Sequence, residues 1–126
     1  MEEFTIRELT SSDLPRENME LKKAMQIYET LKCSKHKKQF DNLLKHAVTY
    51  SRIRVDWYFA KLHDQIEMDV ERTIAHDEFI LSCDLLARKM NENGEDLRWR
   101  SAIGNDRKSI GDFACLLHAV IGIEAR

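Results

Sequence analysis

The chain has 126 residues and a net charge of −2, a length that suits one compact domain and is short for two. It contains a single proline, Pro15, and neither glycine nor proline occurs between Arg16 and Asn93. A β-sandwich or barrel needs turn residues every ~8–12 positions, so this composition excludes both folds. The glycine-rich loop of a Rossmann or P-loop nucleotide site is also missing. These features predict one all-α domain over residues 1–126, with residues 1–12 flexible.

Opposite charges are segregated along the chain. Residues 32–54 carry seven basic groups and one acidic group, whereas residues 55–96 carry four basic groups and eleven acidic ones. Such blocks are typical of oppositely charged helix faces that lie beside one another in a bundle. Because the total is nearly balanced, it gives no reason to expect a nucleic-acid partner or an acidic membrane surface.

The cysteines and the N-terminal residues bear on the cellular compartment in which the protein is expected. Cys33, Cys83 and Cys115 form an odd and widely spaced set, which argues against a disulfide framework and favours a reducing environment. Residues 1–4 lack the apolar run of a signal peptide, and no apolar stretch approaches the ~18–20 residues that span a bilayer. We therefore expect a cytoplasmic protein with no membrane segment.

A first helix is predicted over residues 15–31. Its start is signalled by Ser12–Pro15, where capping side chains precede a proline that suits the first helical turn. Apolar residues then recur at helical spacing as far as Leu31. Cys33-Ser34 is predicted to end this helix, with Ser34 as the cap of the next one.

The second predicted helix is unusually long. It begins near Lys35 and continues to about Glu71, unless it breaks near residues 49–51. A helix of that length would extend over ~55 Å, whereas a compact domain of this size has a diameter of ~36 Å. We therefore expect this helix either to break or to project beyond the domain.

The middle of this second helix has two apolar faces, although an amphipathic surface helix has only one. The second face comprises Tyr50, Ile53, Trp57 and Ala60. An exposed apolar face of this kind needs a partner that covers it. We therefore expect a homodimer whose interface is formed by these four residues.

Three further elements are predicted after the second helix. A third helix begins near Thr73 and ends at residues 91–94, and a short helix spans residues 95–102. Asp106 is predicted to cap a last helix that ends at Gly122. Because the connections are short, the expected fold is an irregular four-helix bundle with a short extra helix and a long second helix.

A group of carboxylates is the first candidate for chemistry. Asp64, Glu67 and Glu71 fall at i, i+3 and i+7 on one helical face, and the next helix adds Asp77. Asp64-x-x-Glu67 resembles the first half of the E-x-x-E plus E-x-x-D arrangement in all-helical nucleotide pyrophosphohydrolases, which bind magnesium with it. The second half of that arrangement is missing. The resemblance implies, as an alternative function, a magnesium-dependent nucleotide phosphohydrolase.

Two other partial metal patterns are present. C-x-x-H pairs begin at Cys33 and Cys115, but the tight C-x-x-C knuckles of zinc sites are absent from the sequence. The second pattern comprises His46, His76, Asp77 and Asp112. It resembles the HD class of metal-dependent phosphohydrolases only in the order of these residues, since the flanking residues differ. Structural roles for both sets are the simpler interpretation.

A basic corner near the C-terminus is the remaining candidate. It comprises Arg98, Arg100, Arg107 and Lys108. The last two residues open the final predicted helix, and helix N-termini and arginine side chains both attract phosphate-like anions. The second alternative function is therefore binding of an anion or a nucleic acid at this corner.

The sequence contains no complete catalytic motif and favours a non-catalytic, regulatory or protein-binding function. We expect a helical protein that binds other proteins and assembles as a homodimer. No cofactor is expected, except magnesium under the phosphohydrolase alternative.

Overall fold

The computed structural model describes residues 19–125. In this range 84% of the residues are helical and none lies in a strand, which confirms the all-α class. The helices are α1 (Leu21–Lys32), α2 (Lys37–Phe59), α3 (Leu62–Glu92), α4 (Arg98–Ile103) and α5 (Arg107–Glu124). The predicted helix start at Ser12–Pro15 and the predicted flexibility of residues 1–12 lie outside the described residues.

The four long helices bury one apolar core. α2 packs along both α3 and α5, and α1 packs against α5. The largest side chains with almost no exposed surface are Leu31, Leu43, Phe79, Leu86, Phe113 and Leu117. The short α4 adds Trp99 and Ile103 to the same core. The packing agrees with the predicted four-helix bundle and its short extra helix.

The break between α2 and α3 falls at Ala60-Lys61, where both residues have extended backbone angles. The second predicted helix therefore breaks, as its length suggested, but at Ala60-Lys61 instead of near residues 49–51 or at Glu71, and the predicted helix start near Thr73 is wrong. The carbonyl oxygen of Trp57 accepts a hydrogen bond of 2.9 Å from Gln65 Nε2, which ties the two helices together across the break.

Several predicted helix ends are confirmed. α1 ends at Lys32, directly before the expected break at Cys33-Ser34. The Asp106 carboxylate caps α5 by accepting a hydrogen bond of 3.0 Å from the backbone N–H of Ser109. In contrast, α5 continues through Gly122 to Glu124 instead of ending at the glycine.

α3 is the longest of the described helices. Its 31 residues extend over about 46 Å at 1.5 Å per residue. α3, instead of the second helix, is therefore the helix that is longer than the ~36 Å diameter of a compact domain of this size. Within residues 19–125, no helix combines the length and the apolar character needed to cross a membrane.

Candidate protein-interaction face

α3 is apolar on two opposite sides. The first side is buried in the core and carries Ala75, Phe79, Cys83, Leu86 and Met90. The second side is exposed and carries Leu62, Ile66, Val70, Ile74, Leu81 and Leu85, which we call the outer face. An amphipathic helix that serves only to build a bundle carries charged or polar residues on that second side.

The outer face follows a regular spacing. Its residues recur every four positions up to Ile74 and again from Leu81 to Leu85, with Asp77 at the step between the two runs. Steps of four, four and three residues make an 11-residue repeat, which stays on one side of a nearly straight helix. The outer face is therefore a stripe about 35 Å long from Leu62 to Leu85, which Asp77 interrupts between Ile74 and Leu81.

Most of this stripe is open to solvent. Leu62 is 73% exposed and Val70 is 70% exposed, and Ile66 is similar. Scattered exposed apolar residues are ordinary on a protein surface, but a contiguous stripe of large ones marks an interaction site or an aggregation-prone surface.

Two exposed aromatic side chains precede the outer face in the chain. Tyr58 and Phe59 end α2 and are 70% and 79% exposed. Their ring centroids lie 5.2 Å apart with the ring planes at 90°, an edge-to-face pair. We call this pair the aromatic corner. The aromatic corner ends α2 before the turn at Ala60-Lys61, and both rings line a hollow with Arg54, Val55 and Cys115, towards α5.

The interface residues predicted from the sequence lie elsewhere. Tyr50 is only 3% exposed and packs edge-on against the His76 ring, so it belongs to the core of the single chain. Ile53, Trp57 and Ala60 are half-buried. These four residues do not form an exposed face, because the second apolar side of α2 is already covered within the chain. The homodimer itself stays a prediction.

A shallow groove opens at the other end of the outer face, between α2 and α3. Its volume is about 400 Å³, and Leu85 of the outer face forms part of its wall. The other lining residues are Lys38, Gln39, Asp41, Asn42, Lys45 and Ser82. We call it the α2–α3 groove. It adjoins the outer face at the end of α3 farthest from the aromatic corner.

The predicted magnesium ligands are only partly brought together. Asp64 and Glu67 lie with His63 at the start of α3, where one ligand atom from each residue falls within 4.8 Å of the others. All three are exposed side chains of a single helix. Glu71 does not join them, and Asp77 lies 3.7 Å from Arg107 instead. The described residues therefore do not form the carboxylate set from two helices that the pyrophosphohydrolase resemblance implies.

The other histidines make contacts between separate segments of the chain. His36 Nε2 lies 2.9 Å from a Glu95 carboxylate oxygen, and His118 Nδ1 lies 3.0 Å from the Ser51 hydroxyl. His76 is fully buried, with its Nε2 3.3 Å from a backbone carbonyl oxygen of α5. Among the described residues, neither the C-x-x-H pairs nor the HD-like set forms a cluster of possible metal ligands.

Each cation of the basic corner contacts a carboxylate of the same chain. The pairs are Arg98 with Asp96, Arg100 with Asp84, Arg107 with Asp77, and Lys108 with Asp112. Hydrogen bonds from the Arg98 side chain lower the pKa of Asp96. Arg100 also donates to the Gly104 carbonyl oxygen at 2.8 Å. An anion at this corner would have to compete with these carboxylates, so the geometry lends the anion-binding alternative no support.

Two of these pairs lie beside the outer face. On α3, Asp77 and Asp84 fall on the same side of the helix as Val70 and Leu81. Arg107 lies 3.7 Å from Asp77, and Arg100 lies 2.8 Å from Asp84. The arginines of α4 and α5 therefore neutralise the carboxylates at the edge of the outer face.

Comparison with known proteins finds no relative for this arrangement. The chain matches no protein-family model, no curated protein and no solved structure at a significant level.

Proposed function

We propose that the chain is a non-catalytic protein-interaction module that works as a homodimer, joined along the outer face of α3. The observation that carries this proposal is the outer face itself, six large apolar side chains on the side of α3 opposite the core. Each Å² of apolar surface removed from water stabilises a complex by about 25 cal/mol before the costs of association, so covering this stripe favours assembly.

The exposed area of the outer face is a large part of what a dimer needs. Its six residues, at on the order of 100 Å² of exposed surface each, offer about 600 Å². A standard protein interface buries about 800 Å² on each partner, whereas the largest apolar patch of a typical monomer is about 300–600 Å². The outer face therefore equals the largest apolar patches of monomers and would form most of one side of such an interface.

The charges beside the outer face suit a second copy of the chain. Asp77 and Asp84 would be costly to place against an apolar partner surface if they were unpaired. Arg107 and Arg100 of the same chain already contact them, which reduces this cost. Two identical faces can then meet, which is the arrangement of most cyclic dimers.

The distribution of the apolar residues favours an antiparallel pair of α3 helices. The outer face is centred between Thr73 and Ile74, since Leu62 and Leu85 lie almost equally far from that point. A two-fold axis at this midpoint brings Leu62 of one copy opposite Leu85 of the other. It also brings Ile66 opposite Leu81. Large apolar side chains then meet at both ends of the interface.

A cytoplasmic location is part of the same proposal. Cys33, Cys83 and Cys115 are all free thiols, and Cys33 is exposed. Free thiols at a protein surface persist in the reducing cytosol and become oxidised in secreted proteins.

The proposal is tested by charging the outer face. Ile66→Glu places a carboxylate in the middle of the stripe, and Ile123→Glu is the matched control, since Ile123 is an exposed isoleucine of α5 outside the outer face. Light scattering after gel filtration is expected to give the mass of a monomer for Ile66→Glu and that of a dimer for the control. Circular dichroism is expected to show equal helix content, because Ile66 contributes nothing to the core. A dimer of undiminished affinity in Ile66→Glu would contradict the proposed interface.

A further inference from the structure

We infer that the groove between α2 and α5 is the docking site of the chain's own N-terminal segment, and that Phe4 and Ile6 of this segment occupy its two hollows. We call it the α2–α5 groove. Residues 1–18 precede the part of the chain that the structure describes. The inference goes beyond the proposed homodimer and does not depend on it, because the groove lies on α2 and α5 and the outer face lies on α3.

The α2–α5 groove consists of two adjoining hollows. The first has a volume of about 290 Å³ and contains the aromatic corner. The second has a volume of about 690 Å³ and extends along α5 as far as Ile123. Val55 and Cys115 line both hollows, so the two form one groove that runs from the end of α2 along the second half of α5.

The lining of this groove is largely apolar and open to solvent. Val55, Tyr58, Phe59 and Ile123 are all exposed apolar side chains. A Cβ atom added at Gly122 would meet no other atom within 4 Å, so the groove is also open on its α5 side. Apolar surface of this kind gains free energy when another segment covers it.

The N-terminal segment begins within reach of the α2–α5 groove. Met19, the first described residue, lines a hollow with Asp106 and Ser109, so residue 18 joins the structure beside the first turn of α5. From Ser109 to Cys115 this helix rises about 9 Å, and a helix is about 10 Å wide. Residues 7–18 extend over up to about 40 Å, which is enough to cross α5 and to place residues 4–6 in the groove.

The segment carries two apolar side chains at a spacing that fits the two hollows. Phe4 and Ile6 are separated by one residue, so in an extended chain their side chains point the same way, about 6.6 Å apart. The first hollow contacts α5 only at Cys115, and the second is centred on Ala119, about 6 Å further along the helix. Because the segment approaches from Met19, Ile6 lies in the first hollow and Phe4 in the larger second one.

The charges of the segment and of the groove are complementary. Residues 1–18 contain five acidic and two basic residues, a net charge of −3. α2 contains five basic and two acidic residues, a net charge of +3, and α5 contains two of each. Because the segment is tethered, its effective concentration at the groove is about 1 mM. A dissociation constant of about 0.1 mM is then sufficient to keep the groove about 90% occupied.

Labelling of Cys115 measures whether the groove is covered. In a Cys33→Ser background Cys115 is the accessible thiol, since Cys83 is only 2% exposed. Ile6→Glu is expected to raise its rate of reaction with an aromatic disulfide reagent at least about fivefold, because a carboxylate is costly to place in an apolar hollow. Thr5→Glu is the matched control. It adds the same charge on the opposite side of an extended segment and is expected to leave the rate within about twofold.

A disulfide identifies the chain that supplies the segment. In the same background, Phe4→Cys is expected to form a disulfide with Cys115 in the presence of oxidised glutathione. The bond is expected within a single chain, at a rate that does not depend on protein concentration. Ser11→Cys is the control, since residue 11 lies outside the groove in this arrangement, and it is expected to react more slowly.

The outcomes separate this inference from the proposed function. Equal labelling rates in the Cys33→Ser background with and without Ile6→Glu would show that the segment does not cover the groove. A disulfide that joins two chains would assign the groove to the segment of a second copy and would also overturn the inference. Cys83 stays unlabelled in a folded chain, so it reports any variant that unfolds, and the Phe4→Cys disulfide then decides. The homodimer is tested separately by Ile66→Glu on α3.

Discussion

Gly111 shows how closely α5 approaches α2. A Cβ atom at this position would lie 3.0 Å from Arg54 Nη1 and 3.1 Å from the Tyr50 hydroxyl oxygen. Both side chains are held in place, since Tyr50 is buried and Arg54 donates a hydrogen bond of 3.0 Å to Asp112. The absence of a side chain at Gly111 is therefore a packing requirement of the α2–α5 contact.

Two glycine-to-alanine changes in the same helix test this requirement. Gly122→Ala is expected to raise the free energy of unfolding by about 0.5–1 kcal/mol, because alanine favours the helix and nothing lies within 4 Å of the added atom. Gly111→Ala gains the same helix propensity but must displace fixed neighbours, which costs about 1–3 kcal/mol. It is therefore expected to be neutral or destabilising in urea unfolding. Equal stabilisation by both changes would contradict the close packing at Gly111.

Cys83 makes stability depend on alkaline pH. Burial raises the pKa of this thiol from 9.0 to about 12. Between these values the unfolded chain has lost a proton that the folded chain retains, so the free energy of unfolding falls as pH rises. The slope from this single group is at most about 1.4 kcal/mol per pH unit. Below pH 9 the contribution is fully present.

The comparison that isolates this effect uses Cys83→Ala. Both proteins share every other group that titrates above pH 9, so the difference between their unfolding free energies reports Cys83 alone. We expect that difference to shrink from pH 9 upward in urea titrations. A difference that stays constant from pH 9 to pH 11 would show that the thiol ionises equally in both states.

At the scale of the helices, the sequence predicts some boundaries and misses others. Asp106 marks a helix start because its side chain accepts a hydrogen bond from a free backbone N–H group. The predicted cap Ser34 is wrong, since His36 is the N-cap of α2 and Ser34 Oγ accepts a hydrogen bond of 3.3 Å from the His36 backbone N–H instead. The break at Ala60-Lys61 has no such signal, since both residues favour helices and neither glycine nor proline is near. It depends on tertiary contacts such as the bond from Gln65 to the Trp57 carbonyl oxygen.

That missed break explains why the sequence assigned the exposed apolar face to the second predicted helix, whereas the structure has it on α3. In a continuous helix from Lys35 to Glu71, the apolar positions would keep one helical spacing and Trp57 would lie on the outer side. Because the chain turns at Ala60-Lys61, both apolar sides of α2 are covered within the chain. The exposed apolar side therefore belongs to α3. The doubled apolar pattern was visible in the sequence, but the helix that carries it was not.

The Trp57–Arg72 contact is a further test of the α2–α3 corner. The Arg72 guanidinium lies 4.2 Å from the centre of the Trp57 ring, so it shields the ring and contributes a cation–π attraction. Arg72→Ala is expected to lower the free energy of unfolding by about 1 kcal/mol through lost packing and lost attraction. It should also shift tryptophan emission to longer wavelength, because Trp57 gains contact with water while Trp99 stays buried.

Arg88→Ala is the matched control for this corner, since Arg88 is an exposed arginine of the same helix. It is expected to leave both the stability and the emission spectrum unchanged. An Arg72→Ala protein with the emission of the unmodified chain would contradict the stacking of Arg72 on Trp57.

At the scale of the whole molecule, the segregated charges and the exposed outer face of α3 have different explanations. The basic block of residues 32–54 forms much of α2, which packs along the acidic α3, and His46 lies 4.0 Å from Glu78 between them. Charge segregation is thus consistent with neighbouring helices in one bundle. The outer face has no such explanation inside the chain, because its residues contribute nothing to the core.

The central claim is that the outer face joins two copies of the chain. Sedimentation equilibrium of the unmodified chain over a concentration series tests it most directly. The outer face predicts twice the 14.8 kDa mass of a single chain at high concentration, with reversible dissociation on dilution. A mass of 14.8 kDa at every concentration would contradict the dimer.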